Sequence, residues 1–145
     1  MREIEQIADG LIVKAKQSGG LEDVRFVKAY GADAPETPVS GYLAVVSIDS
    51  MSRTNSFLGN RVYNGLNGEK FTAQIKIRIY APDYQNGQEL TSVSGILCEN
   101  IKNADEEKIV SGVKFSPVGF DENINAMYRD CCVDVSFYLC REVKI

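Results

Sequence analysis

The side chains able to perform chemistry form a short inventory in this 145-residue chain. Histidine is absent, which removes the commonest general base and metal ligand together with every Ser-His or Cys-His nucleophile pair. Carboxylates run together at Asp105-Glu106-Glu107 and again at Asp121-Glu122-Asn123. Oxygen-rich metal loops need carboxylates spaced around a tight turn, and neither run has that spacing. Both are expected to be solvated turns. Cys98, Cys131, Cys132 and Cys140 include no CxxC pair. On a strand the neighbours Cys131 and Cys132 point to opposite faces, a poor arrangement for one metal ion. Free structural thiols are expected, with no metal and no cofactor. Gly59, Gly65 and Gly68 sit among turn formers, and no phosphate-binding loop occurs. No catalytic residue stands out, and an enzyme is not expected.

Contact chemistry is better represented. Lys76 and Arg78 lie two apart on an apparent strand, with Gln74 beside them, so all three share one face. That face either contacts a partner electrostatically or pairs with Asp130 or Asp134 across strands. Arg53, Phe57, Arg61 and Tyr63 add cationic and aromatic groups in the polar middle of the chain. With Lys76 and Arg78 they form the candidate subunit or partner interface. Tyr63, Tyr80 and Tyr84 surround the turn and loop regions, where aromatic residues suit either an interface or ordinary edge packing.

The elements that must position these groups follow from periodicity. Ile4, Ile7, Ala8, Leu11 and Ala15 recur at steps of three and four, predicting an amphipathic helix that ends at Gly19-Gly20. Residues 23–30 and 42–49 read as strands, separated by a Pro-containing break at 31–38. Residues 50–69 are polar and carry the turn signals Asn64-Gly65 and Asn67-Gly68. They form either a projecting hairpin or a flexible loop. From Phe71 to Ile79 the odd positions are apolar and the even ones polar, a strand with one core face. After Pro82, Asn86 can cap a helix carrying Leu90, Val93, Leu97, Ile101 and Ala104. Residues 109–118 and 127–141 close the chain as strands, with 119–126 a polar connection. The order α-β-β-hairpin-β-α-β-β predicts one α+β domain over 1–145, a mixed, mainly antiparallel sheet with two amphipathic helices packed on it.

A formal net charge of -4 and a sequence pI near 4.9 argue against a large phosphate-neutralising surface, so direct sequence-specific nucleic-acid binding is not expected. No apolar run approaches the ~20 residues that cross a bilayer, and the N-terminal segment is too interrupted by charge for a signal peptide. A cytoplasmic origin without membrane association is expected.

This element order, and the stretch IRIYAPDYQNGQELTSVSGILCENI at 77–101, resemble the tail-terminator (tail-completion) proteins of long-tailed phages and phage-tail-like particles. In that family a strand ends at a Pro and a Gly precedes the amphipathic helix. The resemblance covers almost the whole chain in element order and rests on pattern. It implies a structural protein forming a homohexameric ring on the end of a tail tube. Such a ring ends tube growth and offers a platform to the neck, connector or sheath. It further implies assembly in the cytoplasm of the producing bacterium and a final place in the particle. Other readings are a tail-tube or neck protein of the same particle, and a small ligand- or nucleic-acid-binding domain.

Overall fold

The alternation at Phe71–Ile79 builds the centre of the molecule. In the computed structural model, which describes residues 2–22, 24–28, 41–54, 66–81, 90–106 and 108–142, Phe71, Ala73, Ile75, Ile77 and Ile79 are all buried under helices. The elements are α1 (Arg2–Gln17), β1 (Val24–Lys28), β2 (Tyr42–Thr54), β3 (Leu66–Tyr80), α2 (Leu90–Ala104), β4 (Val110–Phe115), β5 (Gly119–Asp121) and β6 (Ala126–Glu142). One sheet runs in the order β1-β2-β3-β6-β4, and β5 pairs with β6 alongside β4. Only β1 and β2 pair in parallel among the described strands. The expected α+β domain with a mixed, mainly antiparallel sheet is what the chain forms.

Both helices lie on one face. Ala8, Leu11 and Ala15 from α1 and Leu90, Leu97 and Ile101 from α2 join Ile75, Ile77, Val133, Val135 and Phe137 in one core. Phe71 and Phe137 stack with ring centroids 5.5 Å apart. Helix α1 ends as expected, with Gly19 and Gly20 at φ of +90° and +84°, a region that costs glycine least. A Cβ on Gly20 would come within 3.0 Å of Ile96, so this turn also brings α1 close against α2. Asn100, buried on α2, donates its amide hydrogens to the carbonyls of Ala15 (3.0 Å) and Gly19 (2.8 Å). The Ala15 carbonyl is one of the last four of α1, where the Ser18 N–H also reaches it at 3.3 Å, and Gly19 lies just past the helix.

Several expectations are corrected. Strand β2 does not stop at Asp49 but continues to Thr54, paired with Lys70. A bulge between Ile48 and Ser50 breaks the period-two pattern, so the continuation reads as loop. Asn67 and Gly68 are not a turn: they lie in β3, opposite Arg141 and Cys140. The polar connection at 119–126 contains β5. Asp105 is buried rather than solvated, and its carboxylate accepts the backbone N–H groups of Ile109 and Val110, each at 2.9 Å. It thereby caps the entry to β4, while Glu106 is exposed as expected. The expected break at 31–38, the Asn86 cap and the hairpin tip with Asn64-Gly65 lie outside the described residues.

Candidate interface on the open sheet face

The polar positions of β3 form the other face of the sheet. Register places Thr72, Gln74, Lys76, Arg78 and Tyr80 beside Ser136, Asp134, Cys132, Asp130 and Tyr128 of β6. On the other side they adjoin Ser52, Ser50, Ser47, Val45 and Leu43 of β2. Gln74 donates to Asp134 Oδ1 at 3.1 Å, and the hydroxyls of Ser52 and Thr72 are hydrogen-bonded to each other. At one end the face turns apolar: Val27, Leu43, Tyr80 and Ala126 are buried together, with Val45, Ile124 and Tyr128 against them.

A charged network borders that apolar end. Arg78 donates from Nε to Asp130 Oδ1 at 2.7 Å and from Nη2 to Oδ2 at 3.0 Å, the bidentate fork that makes such pairs strong. Its guanidinium lies 4.0 Å from the centroid of the Tyr128 ring, and Nη1 is 3.9 Å from Asp121 Oδ2. Tyr80 donates its hydroxyl to that same oxygen at 2.9 Å. Asp121 Oδ1 accepts from the backbone of Asn123 (3.0 Å) and Ile124 (3.4 Å), holding the β5–β6 turn down on the sheet. The hydrogen bond to Asp130 raises the Arg78 pKa. Burial, then the hydrogen bond to Asp121, pushes the Tyr80 phenol up to about 12. Burial alone would raise Asp121, but the Tyr80 hydroxyl and the two backbone donors outweigh it and hold the carboxyl below its ordinary value.

Of the residues the sequence singled out, Arg78 is engaged within the chain by the cross-strand pair that was one of its two readings. Lys76 sits opposite Cys132 and enters no ion pair among the described residues. Arg53 is paired through its backbone with Phe71, and its side chain lies outside the described residues. Phe57, Arg61 and Tyr63 lie outside them as well. Tyr128 completes the network without having been picked, and Asp121, expected in a solvated turn, is instead drawn into it, its side chain only 17% exposed. The Asp-x-Asn spacing of an Asx turn at 121–123 was the available signal for Asp121.

Two neighbouring thiols of β6 are unreactive by environment. Burial pushes Cys131 up to about 12 and raises Cys132, where Asp130 and Asp49 add to the effect and Lys76 opposes it. Thiols held protonated are poor nucleophiles and poor metal ligands at neutral pH. Among the described residues no group of three or more Cys, Asp or Glu could hold a metal ion. No helix among them is long and apolar enough to cross a membrane. A cavity of about 340 Å³ lies over Ser50, Ser52, Thr72, Gln74, Ser111 and Asp134, with Met51, Ala73 and Val135 also in its lining. What this face offers is hydrogen bonding and fixed charge, the chemistry of contact. No protein-family model and no curated protein sequence matches the chain.

Proposed function

We propose that this protein is a structural subunit of a phage or phage-like tail, closing into a ring on the end of the tail tube. The ring ends tube growth and presents a joining platform to the neck, connector or sheath. The observation that carries this reading is a mismatch of lengths. β3 has 15 residues and spans about 50 Å at strand rise, whereas α2, also 15 residues, covers about 22 Å. Beyond the helix-covered core the antiparallel ladders continue, to Thr54↔Lys70 between β2 and β3 and to Leu66↔Glu142 between β3 and β6. A monomer gains little from sheet that extends past both described helices. A subunit that must reach a neighbour or a tube gains an arm. The element order and the histidine-free composition support the same reading, and six copies per ring follows from the family resemblance.

Native mass spectrometry over a wide concentration range, with and without tail tubes, combined with electron microscopy of the tubes, tests it. Closed rings and density at tube ends are expected. Removal of residues 55–67 should preserve the fold and weaken ring formation or capping. Protein that stays monomeric throughout and never reaches a tube end overturns the proposal. Incorporation along the tube instead of at its end would assign the chain to the tube itself.

A further inference from the structure

We draw no further inference here: the strongest candidate, the cavity of about 340 Å³ over Ser52, Thr72, Gln74 and Asp134, belongs to the open sheet face already described, its side chains hydrogen-bond one another in pairs, and nothing in the structure shows what covers it.

Discussion

Replacing Asn100 tests how the two helices are joined. Asn100 is 7% exposed, and its amide spends both hydrogens on carbonyls near the end of α1, those of Ala15 and Gly19. Asn100→Leu keeps a similar volume and removes both donors. Each lost hydrogen bond costs about 0.5–1.5 kcal/mol net. Neither acceptor is stranded, because the Ala15 carbonyl keeps the Ser18 N–H at 3.3 Å and Gly19 is half-exposed, so water can reach it. The expected loss is about 1–3 kcal/mol. With a urea dependence of about 1–3 kcal/mol per molar, the unfolding midpoint should fall by ~0.5–1.5 M without a change in slope. Asn100→Asp sharpens the test, because the introduced carboxylate would face two carbonyl oxygens. Its pKa in the folded protein then lies above the ~3.9 of an unfolded aspartate. Its contribution is most favourable below the unfolded value and is lost as pH rises through the folded one. Relative to wild type, Asn100→Asp should therefore be worse than Asn100→Leu at pH 7 and recover towards pH 4. Urea titrations followed by circular dichroism at both pH values provide the measurement. A leucine variant within ~0.5 kcal/mol of wild type, or an aspartate variant with no pH-dependent deficit, refutes the idea that this amide fastens α1 to α2.

Ile77 is fully buried in β3, and Ile77→Ala should cost ~2–5 kcal/mol through lost transfer energy and a residual cavity, read from the same urea curves. Asp121 is held below its ordinary pKa, so its contribution is present above ~3.9 and lost as pH falls through the lower folded value. Asp121→Asn should flatten the acid limb of the stability-pH profile. Tyr80 is shifted the other way, to about 12; its contribution is complete below ~10 and lost as pH rises towards the folded value. Tyr80→Phe should remove part of the alkaline limb. Gly10→Ala should raise stability by ~1 kcal/mol in the isolated subunit, since the new Cβ meets nothing. A chelator should leave the melting temperature unchanged, and thiol titration of the unfolded chain should find all four cysteines free.

Local periodicity carried most of the architecture. The alternation of β3 and the apolar stripes of α1 and α2 depend only on neighbours in sequence, and each ends up facing the core it implies. Features that depend on distant partners were hidden. Asn100 and Ser94 interrupt the apolar stripe of α2, yet both are buried, because one fastens α1 and the other returns its hydroxyl to the Leu90 carbonyl at 2.6 Å. Asp105 looks like part of a charged turn until β4 supplies the backbone donors that bury it. The bulge after Ile48 inverts the pattern of β2, so its last residues read as polar loop. In the candidate site, strand parity made the Arg78–Asp130 pair accessible as one reading. The Tyr80–Asp121 bond was not accessible, since it exists only because β5 folds back along β6.

The position of β6 has a consequence for biosynthesis. Last of the described elements in chain order, β6 is nevertheless interior, with β3 along one side and β4 and β5 along the other. Until it emerges from the ribosome, β4 has no sheet to join and the inner edge of β3 is open, with Ile75, Ile77 and Ile79 beside it. Pairing Leu66 with Glu142 spans about half of the sequence, and contacts of such separation form slowly. A nascent chain is thus held in an unfinished, aggregation-prone state until β6 has been made. Prematurely terminated copies lack the strand that completes the sheet. In the ring proposed above, a truncated copy that cannot complete its sheet would not compete for a place.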